Sequence, residues 1–159
     1  MSARTVKQYV AALWFVTLAF ISLSAHADCF DHAATAEGVS ARLLRAIAHV
    51  ESNSNPRAIR HNRNGSIDIG IMQINTVHMP ELNKRGIHRR DLLNSCKNIY
   101  TAAWLLRRNL NAHQSLWTAV GNYHSATPKF HREYLHLVWA ELTRERAHQA
   151  YAAALLAMQ

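Results

Sequence analysis

The stretch Ser40–Asn75, SARLLRAIAHVESNSNPRAIRHNRNGSIDIGIMQIN, carries most of what the chain discloses about its fold. Leu44, Ile47, Ala48 and Glu51 recur at i, i+3, i+4 and i+7, which places them on one stripe of an α-helix capped by Ser40. That helix has to stop just past Glu51. Asn53 and Asn55 are weak helix formers, and Pro56 pushes Asn55 into extended backbone. Glu51 is therefore predicted in the last turn, on the core-facing stripe. Partial desolvation and the negative end of the helix dipole both disfavour its ionised form, raising its pKa toward the range of a general acid. An exposed, ion-paired surface glutamate is the competing reading of the same spacing.

After Pro56 the segments 58–63 and 66–69 flank Asn64-Gly65, the strongest short-range hairpin signal. Period-two alternation puts Ile67 and Ile69 on one face and Asp68 on the other, which gives Asp68 a route into a cleft. Gly70 then suits a backbone that approaches something closely, and Ile71–Asn75 leads back into the body of the protein.

Outward from this stretch the chain reads as helices. A short one over Cys29 to Ala36 is stopped by Gly38. Residues 76–93 read as loop, punctuated by Pro80 and Gly86. Cys96, Ile99, Ala103, Leu106 and Leu110 form a packing stripe on a central scaffold helix. Ser115 caps a helix through Trp117 and Val120 that ends near Asn122-Tyr123-His124. Thr127-Pro128 opens another, with Phe130, Tyr134, Leu137, Val138 and Glu141 on one side. Residues 144–159 form an alanine-rich tail of helical propensity. With no repeat and no low-complexity linker, the chain reads as one mainly α (α+β) domain over 28–143 with one small β-hairpin.

The first 27 of the 159 residues have the pattern of a removable signal peptide: Arg4 and Lys7, an apolar run from Tyr9 to Leu23, then Ala25-His26-Ala27. A membrane anchor is the alternative, but the run is short for a span and the cleavage pattern follows it directly. Export implies an oxidising compartment, in which the lone pair Cys29 and Cys96 suggests one disulfide in place of two buried thiols. Removing Arg4 and Lys7 with the leader takes the formal charge from +8 to +6, which suits an anionic partner. Nucleic acid is a poor candidate, since Arg89-Arg90 and Arg107-Arg108 lack aromatic interleaving or a binding motif. An anionic envelope polymer fits export better, although basic surface also serves plain solubility. The eleven histidines show no metal-ligand spacing, and no cofactor motif is present.

Three motifs in order, Glu51-Ser52 closing a helix, Gly70-Ile71-Met72-Gln73-Ile74-Asn75, and Asn122-Tyr123-His124, resemble the lytic transglycosylase domain of the lysozyme superfamily. The resemblance covers roughly Cys29 to Leu142. In detail the chain is similar to the small transglycosylases of type III and type IV secretion, pilus and conjugation systems, which are exported and often carry a cysteine pair. It implies a lysozyme-like fold, Glu51 as catalytic acid and base, and Ser52 as its neighbour. Gly70, Met72, Gln73 and Asn75 would line a glycan cleft, with Tyr123 beside the carboxylate, and Ser52, Tyr123 and His124 would join them in binding substrate. The substrate would be peptidoglycan glycan strands, cut between N-acetylmuramic acid and N-acetylglucosamine with closure of a 1,6-anhydro ring. It also implies a periplasmic location, assembly proteins of an envelope apparatus as further partners, and no stable membrane span once the leader is removed.

His124 departs from the Tyr-Asn of many relatives, which leaves its role open. The run Asp68–Asn75 also resembles animal-type lysozymes, in which a second carboxylate follows the first at a similar separation. The pattern of one protonated and one ionised carboxylate is the lysozyme case itself. Asp68 thus opens a second reading, a hydrolytic muramidase, against which stands an Asp68 that pairs with a nearby arginine or accepts hydrogen bonds from the hairpin. Tyr123 could equally be a packing tyrosine, and Gln73 and Asn75 could cap the following loop. A non-catalytic wall-binding scaffold is a third reading.

Overall fold

The computed structural model describes residues 29–113 and 115–157. The leader predicted over 1–27 lies outside them. Helix α1 spans residues 29–37 and ends at Gly38, whose φ of 60° lets the Val39 amide return to the Ala34 carbonyl. Helix α2 (Ala41–Ser52) starts at Ser40, whose hydroxyl accepts from the Leu43 amide, and ends at Asn53 in the left-handed region. Its apolar stripe is fully buried at Leu44, Ile47 and Ala48.

The predicted hairpin forms from β1 (Ile59–His61) and β2 (Ile67–Ile69), joined by the turn at Asn64-Gly65. A short strand β3 (Ile74–Asn75) pairs antiparallel with β2, so the expected single hairpin is in fact a three-stranded sheet. Two residues give too short an alternation to announce a strand; only the pairing with β2 makes it one. The register places Arg60, Asp68 and Asn75 opposite one another across the three strands.

The segment expected as loop contains a 3-10 turn (Thr76–His78), helix α3 (Met79–Lys84) and a second 3-10 turn (Arg89–Leu93). Pro80 sits in the first turn of α3, where its missing N–H costs nothing, so this proline starts the helix. Leu82 and Leu92 from these turns are fully buried. The scaffold helix α4 (Ser95–Ala112) buries Ile99, Ala103 and Leu106, and a disulfide between Cys29 and Cys96 ties its first turn to α1 across 67 residues of sequence. Helices α5 (Leu116–His124) and α6 (Pro128–Ala157) follow, with α5 packed between α4 and α6, and α6 against α2.

Helix α6 is continuous through Thr143, and from residue 146 to 157 it is exposed all round. Tyr134, Val138 and Glu141 face the body, whereas Phe130 and Leu137, predicted on the same side, are half exposed. None of the described helices is long and apolar enough to cross a membrane. This is the mainly helical α+β architecture, with a small sheet beside a cleft, that the motifs imply.

Candidate active site

A cleft of about 740 Å³ lies between the sheet and the α5–α6 side of the domain. Glu51 reaches it from the last turn of α2. Arg60, Asn62, Asp68, Gln73 and Asn75 come from the sheet side, and Asn122, Tyr123, His124 and Phe130 from the helices opposite. Leu105 and Arg108 of α4 line it too, the latter ion-paired with Glu81.

The Glu51 side chain is 6% exposed, and its pKa is raised from 4.5 to about 7. Burial is the main cause, opposed by the Tyr134 hydroxyl and by Arg60, and reinforced by the negative charge of Asp68. Tyr134 is buried in α6 and its hydroxyl faces Glu51 without a hydrogen bond of ordinary length. Its ring stacks on His124 with centroids 4.7 Å apart. A carboxyl that keeps its proton near neutral pH and opens on a cleft can donate that proton to a bound oxygen and take one back.

Asp68 is buried beside it and occupied. Oδ2 accepts from Arg60 Nε and Asn62 Nδ2, both at 3.0 Å, and is ion-paired with Arg60 Nη2 at 3.0 Å, while Oδ1 accepts from Asn75 Nδ2 at 2.5 Å. The same Arg60 Nη2 lies 4.0 Å from Glu51 Oε2. Alternation along β2 brings Asp68 to the cleft as predicted, and the cross-strand row then surrounds it with donors.

The motif residues divide into two groups. Gln73 and Asn75 line the cleft, but their amide nitrogens serve the protein: Gln73 Nε2 donates to the Gly70 and Ala58 carbonyls, and Asn75 Nδ2 to Asp68 and Ser66. Asn75 Oδ1 also caps the 3-10 turn at Val77. Tyr123 lines the cleft while its buried hydroxyl donates to the Met72 carbonyl at 2.9 Å. Burial, then the charges of Glu51 and Asp68, push that phenol well above its usual pKa, so it stays a neutral donor. His124 stands at the rim, held below the ordinary imidazole value by burial and then by Arg60.

Ser52, Gly70 and Met72, expected to bind glycan, are not among the residues that line the cleft. Ser52 donates to the Ile71 carbonyl at 2.7 Å, pinning the motif turn to the end of α2. Met72 is fully buried in the core. Gly70 has φ 78°, and a side chain there would meet Asn98 Nδ2 at 2.5 Å and the Leu92 carbonyl at 2.6 Å. The close approach its sequence announced is thus to α4. Asn98, fully buried, donates to the Ile69 and Leu92 carbonyls and accepts from the Met72 amide.

Asn98, Arg60 and Tyr134 are the residues that sequence reasoning missed. An asparagine interrupting the apolar scaffold helix was a usable signal for the first, because a buried amide must find partners. Among the described residues no group of His, Cys, Asp or Glu gathers as a metal-ligand set.

The fold and this cleft define a class, and comparison with known proteins agrees. The transglycosylase SLT domain matches residues 28–137. The chain is 35% identical over 136 residues to Invasion protein IagB of Salmonella typhimurium, covering 82% of each chain. It is 39% identical over 123 residues to Protein IpgF of Shigella flexneri, covering 76% of this chain and 81% of that one. X polypeptide of Escherichia coli K12 is 36% identical over 120 residues, with coverage of 74% and 71%. The chain belongs to the SLT transglycosylase family, and by class it is a lytic transglycosylase.

Proposed function

We propose that the protein is an exported peptidoglycan lytic transglycosylase that cleaves the β-1,4 bond between N-acetylmuramic acid and N-acetylglucosamine, leaving a 1,6-anhydro-muramyl end. The observation that carries this reading is the buried Glu51 side chain, its pKa raised to about 7, lining an open cleft. Glu51 delivers its proton to the glycosidic oxygen as the C1–O4 bond breaks. The resulting carboxylate takes the proton of the muramyl 6-hydroxyl, whose oxygen closes on C1, and no water is consumed. Tyr123 holds the Met72 end of the motif turn to α5, and Asn122, Gln73 and His124 offer further polar surface to the sugars.

The engaged Asp68 supports the one-glutamate route, since a carboxylate whose two oxygens already accept three hydrogen bonds and pair with a guanidinium is a poor nucleophile. One observation favours the hydrolytic alternative: Asp68 and Glu51 lie close enough to share Arg60. The leader predicted over 1–27 supports a periplasmic site of action, and the name of the invasion-protein relative supports service to an envelope-spanning apparatus of the secretion, pilus or conjugation kind, which would find room through local gaps in the wall.

The test is mass spectrometry of purified peptidoglycan digested by the mature protein, with Glu51→Gln as control. Products ending in 1,6-anhydro-muramic acid, absent from the control, are expected. Ordinary reducing ends would replace this reading by hydrolysis, and identical digests from both proteins would refute a catalytic Glu51.

A further inference from the structure

Arg60 stands where both carboxylates can be reached. It projects from β1, directly opposite Asp68 in the register, and holds Asp68 Oδ2 through two nitrogens. Its Nη2 is also 4.0 Å from Glu51. About half of its side chain remains exposed, so it belongs to the cleft wall and not to the core. Charge-assisted hydrogen bonds to a carboxylate are roughly twice as strong as neutral ones. Of the donors to Asp68 among the described residues, Arg60 is the only charged one; Asn62 and Asn75 are neutral amides.

Hydrolysis at this site would need a second carboxylate free to act at C1. A water-consuming cleavage needs the positive charge at C1 to be stabilised, or C1 to be captured, by a second carboxylate until water arrives. The water oxygen then bonds to C1 and its proton passes to Glu51, replacing the proton given to O4. Ring closure needs no such delay, because the 6-hydroxyl oxygen is already part of the sugar and its proton goes to the same Glu51.

We propose that Arg60 is the positioning residue that commits this cleft to ring closure, by clamping Asp68 so that it cannot assist attack by water. The inference rests on the transglycosylase reading above and concerns the partition of its products.

The experiment measures the ratio of hydrolysed to 1,6-anhydro ends in digests by wild type, Arg60→Gln, Arg60→Lys and Arg60→Gln combined with Asp68→Asn. Arg60→Gln should raise that ratio on the order of tenfold, while Arg60→Lys, which keeps the charge, should stay near wild type. The double variant should return to the wild-type ratio, because the hydrolysis released depends on Asp68. Asn62→Ala, which removes one neutral donor to the same oxygen, should give a smaller rise and stands in should Arg60→Gln fold poorly. Lower turnover with an unchanged ratio in Arg60→Gln and Asn62→Ala would overturn the proposal, leaving Arg60 a structural ion pair. A rise that persists in the double variant would overturn it too. Hydrolysed ends dominating the wild-type digest would instead refute the transglycosylase reading itself, and are seen before any variant is compared.

Discussion

Burial of Glu51 carries an energetic consequence that Glu51→Gln isolates. The rise of its pKa from 4.5 to about 7, at about 1.4 kcal/mol per pH unit, amounts to about 3 kcal/mol of linkage between folding and protonation. The sign follows from which state holds the proton. Between pH 4.5 and 7 the folded protein keeps a proton that the unfolded chain releases. The stabilising contribution is therefore complete below about pH 4.5 and is lost as the pH rises through about 7. Glutamine preserves the shape but cannot ionise, so the variant escapes the cost of a buried anion. Relative to wild type, Glu51→Gln should gain about 3 kcal/mol between pH 4 and pH 8, a relative change in Tm on the order of 10 °C. Other titrating groups are common to both proteins and cancel in the difference. Urea denaturation of the two proteins in parallel across that range is the assay. A stability difference that stays flat with pH would show that Glu51 titrates as an ordinary glutamate, and with it the argument for a proton held ready in the cleft would fall.

The other expectations test what holds the cleft in shape. Asn98→Ala should cost about 3 kcal/mol or more in denaturant unfolding, because it strands the Met72 amide and the Ile69 and Leu92 carbonyls in the core. A cost below about 1 kcal/mol would mean that those groups find other partners. Tyr123→Phe removes one hydrogen bond and should cost about 1 kcal/mol in stability while lowering kcat, if the Met72 end of the motif turn is held by that hydroxyl. Unchanged kinetics would make it a packing residue. Replacing both Cys29 and Cys96 by serine should lower stability by roughly 4 kcal/mol on the chain-entropy account, read as a drop in Tm that reducing agent reproduces in the wild type. A reducing agent without effect on the wild-type Tm would contradict it.

The local parts of this protein were legible in its sequence. Ser40 as a cap, the stop after Glu51, the Asn64-Gly65 turn and the stripe of the scaffold helix are each set by residues within a few positions of one another. Propensity and periodicity act over that range. The burial of the Glu51 side chain was legible as well, because three apolar neighbours share its stripe. Proline misled at position 80, since the same residue that ends a helix also fits its first turn, and only the packing of Leu82 shows which applies.

Beyond that range the tertiary structure decided. The third strand exists because β2 offers it an edge. Gly70 is required by its φ of 78° and by Asn98, 28 positions away, and the Leu92 carbonyl, which leave no room for a side chain. Tyr134 comes to Glu51 only because α6 crosses α2, and Arg60 meets Asp68 only because the hairpin register sets them opposite. Sequence by itself determined which residue types could do the chemistry and which helix carries Glu51. How many hydrogen bonds each carboxylate receives, and so which one is free to move a proton, depends on donors from separate strands and helices, and the closing of the fold alone brings these together.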